Sequence, residues 1–556
     1  MTTALAGEDG HLWLAKHGEE ITRLFASDTI KLIHWHDLPS DKKPAYYNPQ
    51  VRTKIKEGKL VRRVRGTIGG DQINFDGDTA AHTASMQLIK ILLNSVVSDK
   101  DAKFMTADIK DFYLGTPLPT TEYMRIKLDH IPPEVIEAHD MARFERNGAV
   151  VVAVHKGIYG LPQAGILAQD RLVKHLAEHG YMQAPNTPCL FRHQTNSVAF
   201  TLVVDDFGIK YTHKADADHL LATLRKLYEM TEDRTTTQKY VGITIAHDRK
   251  AATITLSMPG YVEKALKRFG QAKRLGAKSP MIYTPIIRGP EGQFTRPPSA
   301  ASTKSVDAAT KTFVQEVTGV FLFYSRAVDP TMLAAVNRIS TQQAKPTVGT
   351  LDAIDRLLSY AEQYPNSTIV FKPSNMQLCG QSDASYTSES EARSRAGGIL
   401  HFGLNHDGSV NGAIDYMSSI IHTVCSSVAE AEYAALFLLG REATSARNIL
   451  SDLGYPQGTT ALICDNECAV GLATDSVKQK RSKAIDMRYH WIRDQVRQGK
   501  FQVKWEQGAK NLADYFTKAH PVHHYVTMRR MYVTTPKPSS IRDCARSRRI
   551  EHRKHP

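Results

Sequence analysis

Cysteine is scarce in this 556-residue chain: there are six, scattered, with only Cys464 and Cys468 close together. That spacing matches no zinc-ligand pattern, so the thiols read as the reduced ones of an intracellular protein. No apolar run reaches the length of a membrane span, and the opening MTTALAGEDG lacks the basic-then-apolar layout of a signal peptide. No membrane partner is therefore expected. Acidic residues are outnumbered, 57 against 71 lysines and arginines, and the net charge is +14. An excess of that sign favours a polyanionic partner such as nucleic acid. The apolar share (42%) and the charged share (23%) are those of an ordinary globular protein. Such a length asks for about two to four domains.

Composition shifts divide the chain. Residues 1–58 read as a lead-in with a helical pattern around Trp13 to Phe25 and a turn-rich PSDKKP stretch. Residues 59–283 alternate apolar strands with helical stretches such as AGILAQDRLVKHLAEHG, the texture of an α/β or α+β unit. Residues 284–310 are rich in Pro, Gly, Ser and Thr and read as a linker. Residues 311–368 carry two helical segments, around Phe313 to Arg326 and Leu351 to Gln363, and form a connection. A second α/β unit is expected over 369–519, and the basic, poorly periodic tail 520–556 is expected to be disordered. There is no internal repeat.

The stretch FTLVVDDFGIKY places Asp205 and Asp206 between two apolar runs. A tight hairpin explains that pattern; so does a metal site on a turn, and the two are compatible. Upstream, KFMTADIKDFYLGTPL ends a short strand with Asp108. Joining nucleotides develops negative charge on the attacking and the leaving oxygen, which two Mg²⁺ ions about 3.5–4 Å apart stabilise together. Mg²⁺ takes oxygen ligands, typically one or two carboxylates plus substrate phosphates. Two adjacent strand ends offering one Asp and an Asp pair meet that need.

The order AD-x-K-x-F-Y, then GIYGLPQAG, then VVDD resembles the reverse transcriptase of copia-type long-terminal-repeat retrotransposons. TEYMRI (121–126) and KYVGITIAHDRKAATITLS (239–257) resemble the same family's flanking segments. The resemblance implies a right-hand polymerase of fingers, palm and reduced thumb, with Asp108, Asp205 and Asp206 as palm metal ligands. It implies that Tyr113 selects against a ribose 2′-hydroxyl and that Gln163 lies along the incoming nucleotide. Lys59 and Arg65 resemble the cations that hold the triphosphate, with Arg62, Arg63 and Arg65 all open for that part. Where many relatives have Tyr, this chain has Val203, which is expected to alter primer handling or fidelity without removing a ligand.

Four more acidic residues follow in GQSDASYTSE (Asp383), SSVAEAEYAALFLLG (Glu432), ALICDNECAVGLA (Asp465) and QGAKNLADYFTK (Asp514). On a helix, Ala429, Tyr433, Leu436 and Leu439 share a face and aim Glu432 inward. Four clustered carboxylates call for divalent cations, and phosphodiester hydrolysis uses the same two-ion logic. This unit resembles the RNase H-like α/β domain that follows the polymerase in the same elements. Glu432, rather than Glu430, matches the family's position, and Glu430 reads as a solvated or supporting residue. His490 reads as a packing or surface residue. The loop before Asp514 has no histidine, which is expected to slow product release or to pass the task to Lys510.

The likeness runs from about Trp13 to Lys518. No Asp-Thr-Gly or Asp-Ser-Gly, zinc knuckle or integrase-like acidic triad is present, so the chain resembles the C-terminal half of a Pol polyprotein. The resemblance implies RNA-directed DNA synthesis and RNase H cleavage, with two Mg²⁺ or Mn²⁺ ions per site. Its partners would be an RNA template, a DNA primer, dNTPs and the RNA/DNA hybrid. A cytoplasmic virus-like particle or the nucleus is the expected location. The alternative is an inactive, host-retained nucleic-acid binder, which would bind without metal-dependent synthesis.

Overall fold

The computed structural model describes residues 1–56, 59–270, 276–285, 287–288, 294–295, 304, 306–476 and 487–535, and for residues 2, 54–56, 59, 287, 288, 294, 295 and 487 the backbone alone. The chain is a mixed α/β multidomain protein built on several sheets. Among the described residues no helix is long and apolar enough to cross a membrane.

The N-terminal sheet takes the strand order Ile30–Ile33, Ala149–Lys156, Pro117–Lys127, Ala45–Lys56, Lys59–Ile68. Its second strand AVVVAVHK is a β-branched run buried on both faces from Ala149 to Val154, as expected of a strand covered on two sides. Helix Gly10–Ala26 puts Ile21 and Leu24 into the same core as Ile30, Ile68, Met124 and Val152. Residues 1–58 are therefore not a separate lead-in: they supply a helix and two strands of this unit.

The central sheet is antiparallel, in the order Met230–Asp233, Lys103–Ile109, Asp206–Tyr211, Val198–Val203, Leu190–His193, Tyr181–Gln183. Helix Met86–Ser98 starts at Ser85, whose side chain accepts the Leu88 N–H at 3.1 Å. It is buried at every residue from Gln87 to Val97. A helix apolar all round needs cover all round. It packs on strands of this sheet on one side and on the long C-terminal helix Val428–Asp452 on another. Even Lys90 is buried, its ammonium donating to the Arg326 carbonyl at 2.6 Å.

Three helices, Ala308–Ala327, Leu333–Gln342 and Val348–Gln363, follow. Most of the expected linker 284–310 lies outside the described residues, which include a short strand pair, Ile287–Arg288 with Phe294–Thr295. The strand after the helices, Thr368–Phe371, joins Thr253–Ser257 rather than the C-terminal sheet. The expected boundary at 369 therefore cuts a sheet to which both sides contribute.

The C-terminal sheet has the order Asp415–Ile421, Ser394–His401, Cys379–Ser385, Thr460–Cys464, Phe501–Trp505. The first three strands are antiparallel and the last two join in parallel. The expected tail from 520 needs correction. Residues Val522–Tyr532 form a helix that buries Tyr525, Arg529 and Tyr532, and Thr534 bridges to Thr368. Period was the misleading signal, because the buried positions are aromatic and arginine rather than aliphatic. The remainder of the tail, from 536, lies outside the described residues.

Candidate active sites

In the central sheet, Asp206 stands directly opposite Asp108 across an antiparallel register and opposite Val203 on its other side. Val203 and Asp206 close a hairpin over Val204 and Asp205, so the tight turn read from the sequence is present. Val204 has φ +61°. That left-handed value is costly for a β-branched residue and is usual for glycine at the first position of such turns. Strain of this kind survives where the surroundings over-determine it, and it concentrates at functional sites. Here the Ile109 N–H donates to the Asp205 carbonyl at 3.0 Å, fastening the turn to the strand that carries Asp108.

The carboxyl of Asp206 is pushed up to about 7, by burial first and then by Asp205 and Asp108. Asp206 is thus the carboxyl of the cluster that burial and its neighbours keep protonated towards neutrality. Oxygen donors of like charge at such a spot fit a hard divalent cation.

The candidate substrate residues are less evenly placed. Tyr113, half-buried, is pushed up by burial and by Asp205 and pulled down by Arg65, so both charges act on it. Its ring meets Tyr159 edge-on at 5.1 Å, and Arg65 lies over the Tyr159 ring at 3.9 Å. The backbone explains the stack: the Ile68 N–H donates to the Tyr159 carbonyl at 2.9 Å. Gly160, φ +99°, has no room for a Cβ, which would stand 2.1 Å from the Ile68 carbonyl oxygen. Arg62 instead pairs with Asp9 and lies 5.8 Å over Trp13, and Arg63 is exposed. Of the three arginines, Arg65 is the one the fold brings to Tyr113. The side chain of Lys59 lies outside the described residues. Gln163 caps helix Ala164–Glu178 with its side chain buried, its amide donating to Glu122 at 3.4 Å and its carbonyl oxygen left without a partner.

The second set converges at the C-terminal sheet. Asp383 lies on strand Cys379–Ser385, Glu432 on helix Val428–Asp452, Asp465 just past strand Thr460–Cys464, and Asp514 in the short helix Leu512–Phe516. Asp383 faces Gly397 in the register, and a Cβ there would stand 2.6 Å from Thr517 and 2.7 Å from the Ala513 carbonyl. The missing side chain lets the Asp514 segment lie against the sheet. Asn511 Nδ2 donates to the Ser382 carbonyl at 2.8 Å, and the Leu512 N–H donates to Gln381 at 2.8 Å. The Trp505 indole holds the Asp465 carbonyl at 2.9 Å.

Burial dominates the electrostatics here too. Asp383 is pushed up to about 7 by burial and then Asp514, and Glu432 to about 9 by burial and then Asp383 and Asp465. Asp465 is raised by burial. One ligand atom each from Glu432, Cys464 and Asp465 lies within 4.8 Å of the others. Burial and Glu432 hold the Cys464 thiol protonated, which leaves the carboxylates as the donor set.

Several partners of this cluster were not read from the sequence. Thr517 donates to Asp383 at 2.7 Å, Lys518 pairs with Asp514, and His520 Nε2 sits 3.0 Å from the Asp514 carbonyl. FTKAH carries all three immediately after Asp514, but only a turn that doubles back could reveal their direction. Lys510 is exposed. Of the two readings of Glu430, solvated or supporting, the structure favours the second: it is 2% exposed and accepts the Ser426 N–H and hydroxyl at 2.7 Å each, tying down the helix start. His490 packs against Tyr433 and takes an Arg493 contact at 2.7 Å, as a packing residue should.

The aspartate hairpin thus faces Asp108 across adjacent strands of an antiparallel sheet. Residues 31–283 match the family described as reverse transcriptase (RNA-dependent DNA polymerase). Over 513 residues the chain is 26% identical to the retrovirus-related Pol polyprotein from transposon TNT 1-94 of Nicotiana tabacum, covering 90% of this chain and 36% of that one. It is 26% identical over 436 residues to the Pol polyprotein from transposon RE1 of Arabidopsis thaliana, covering 77% and 27%. The resemblance to copia-type Pol polyproteins is borne out, and the chain spans about a third of the length of these relatives. Among solved structures it is similar to a foamy viral protease-reverse transcriptase in complex with double-stranded DNA, with TM-score 0.49 and 11% identity, covering 88% of this chain and 69% of that one.

Proposed function

We propose that the chain is an RNA-directed DNA polymerase that extends a DNA primer on an RNA template, with a second, RNase H-type centre that cleaves the RNA of the hybrid. The facing of Asp206 and Asp108 across the register, with Asp205 fastened to the same strand end, carries the first half. In this reading the N-terminal sheet is the fingers, the central sheet the palm, the sheet of 237–257 with the following helix a reduced thumb, and residues 308–363 the connection. Asp108, Asp205 and Asp206 would hold divalent cations, as would Asp383, Glu432, Asp465 and Asp514. When bound, two such ions stabilise the attacking and the leaving oxygen of phosphoryl transfer.

The chain's own residues supply position. Arg65 places a cation where a triphosphate would lie beside Tyr113, whose ring takes the space a 2′-hydroxyl would need. Gln163, whose buried carbonyl oxygen has no partner, would lie along the incoming nucleotide, and Val203 brings an apolar surface to the primer end. In the second centre Thr517 orients Asp383, and Lys518 neutralises Asp514 in the absence of a cation. Phosphate contacts by the basic surface would dominate binding and make it salt-dependent. The inactive-binder alternative keeps all of this binding and none of the synthesis.

The test is primer extension on poly(rA)·oligo(dT) with dTTP and Mg²⁺ or Mn²⁺. Extension by the wild type that is lost in Asp205→Asn/Asp206→Asn supports the reading. A folded, template-binding wild type that extends in neither metal overturns it in favour of the inactive binder.

A further inference from the structure

Helix Gly10–Ala26 lies before the segment that matches the reverse transcriptase family, which begins at residue 31. It nevertheless reaches both the turn that carries Tyr113 and the strand that carries Arg65. From the last turn of that helix Arg23 pairs with Asp111, the residue two before Tyr113 and three after Asp108. Asp111 is itself in the left-handed region, φ +53°, in the turn that leads from the aspartate strand to Tyr113. The other side of the Arg23 guanidinium is taken by Glu20, to which Nε and Nη2 donate at 2.9 and 2.8 Å. Glu20 is 5% exposed and accepts the Gly66 N–H at 2.7 Å. Gly66 is the neighbour of Arg65.

A continuous chain of charge-assisted hydrogen bonds therefore runs from the Tyr113 turn, through Asp111, Arg23 and Glu20, to the backbone of the strand that carries Arg65. The pocket closes the circuit on its other side, where Arg65 covers Tyr159 and Tyr159 meets Tyr113. Bidentate, planar guanidinium pairing suits a part that must hold a spacing. Side-chain exposures of 27% for Arg23 and 25% for Asp111 leave the pair on the pocket's flank, where its contribution to overall stability is modest. Its geometric effect falls on the two residues that a nucleotide would meet.

We infer that the Arg23–Glu20 pair of the N-terminal helix, joined to Asp111, sets the separation of Arg65 and Tyr113 and so tunes nucleotide affinity and sugar selection. Arg23, Glu20 and Asp111 are positioning residues in this account. The inference rests on the nucleotide pocket proposed above.

The test uses the full chain in primer extension, with dTTP and rUTP titrated separately, for wild type, Arg23→Gln, Arg23→Lys, Asp111→Asn and the double variant Arg23→Gln/Asp111→Asn. Arg23→Gln is expected to raise KM for dTTP severalfold with kcat little changed, and to narrow the preference for dTTP over rUTP. Lysine should recover part of the loss. The double variant should be no worse than the worse single one, since both break one link. Wild-type KM and sugar preference in Arg23→Gln and Asp111→Asn overturn the inference and leave the polymerase reading intact. So does a double variant whose losses multiply, or a fall in kcat and melting temperature with KM unmoved. If Arg23→Gln does not fold, Asp111→Asn and Arg23→Lys carry the same comparison. A wild type that does not extend overturns the polymerase reading itself and this inference with it.

Discussion

Individual side chains in both clusters hold protons that ordinary carboxyls would have released. Asp206 and Asp383 stand at about 7 and Glu432 at about 9, in each case through burial first and neighbouring carboxylates second. The folded state therefore binds these protons more tightly than the unfolded chain does. The stability so conferred is complete below about pH 4 and is lost as the pH rises through 7 and then 9. In metal-free buffer the melting temperature should fall from pH 5 to pH 9. Mg²⁺ or Mn²⁺ should recover more of it at pH 8 than at pH 5, and Glu432→Gln should flatten the upper part of the fall. A melting temperature indifferent to both pH and cation would contradict the cluster's electrostatics. Tyr113→Ala is expected to raise ribonucleotide incorporation by an order of magnitude or more, read from single-nucleotide extension with rUTP against dTTP. The seven carboxylates were legible because short strings around each of them recur in a known order. Arg23, Asp111, Thr517 and Lys518 were not: an arginine 88 positions before its aspartate leaves no local mark.

Elements were legible where period and length agreed. The helical pattern around Trp13 to Phe25 appears as Gly10–Ala26, and the one around Leu351 to Gln363 as Val348–Gln363. Legibility failed where an element's anchor is polar. Helix Val522–Tyr532 reads as basic and aromatic, yet Arg529 is 6% exposed and pairs with the fully buried Asp329 at 2.9 Å. The same guanidinium donates to Ser367 and Thr331 and lies 4.2 Å over Tyr364. Removing one partner of such a pair strands a buried charge, at a cost of about 3–5 kcal/mol. Asp329→Ala should lose roughly that much in urea unfolding, whereas an exposed control such as Glu391→Ala at the Arg393 pair should lose about 1 kcal/mol or less. Equal losses would show that the helix is not held by this pair.

Across the whole molecule the two carboxylate clusters sit on different sheets that share one core. Helix Met86–Ser98 lies between them, and polar contacts cross the same seam: Lys210 donates to the Tyr455 hydroxyl at 2.8 Å, that hydroxyl donates to Asp99 at 2.7 Å, and Thr187 donates to Asp452 at 2.6 Å. Composition separated residues 59–283 from 369–519 and gave no sign of this seam, because a helix buried on all sides looks the same whichever unit covers it. Residues 369–556 expressed alone should lack native near-ultraviolet dichroism, since their surface against that helix would be bare. Leu92→Ala, at a fully buried position, should cost about 2–5 kcal/mol, and both activities should fade together on warming. The proposed function places two independent cation-dependent centres on one chain. It is tested most directly by following extension and RNA cleavage on one labelled RNA/DNA primer-template. Asp205→Asn/Asp206→Asn should abolish extension and leave cleavage, and Asp383→Asn/Glu432→Gln should abolish cleavage and leave extension. Loss of both activities in either variant with its fold intact, or cleavage that survives the second pair, would contradict it.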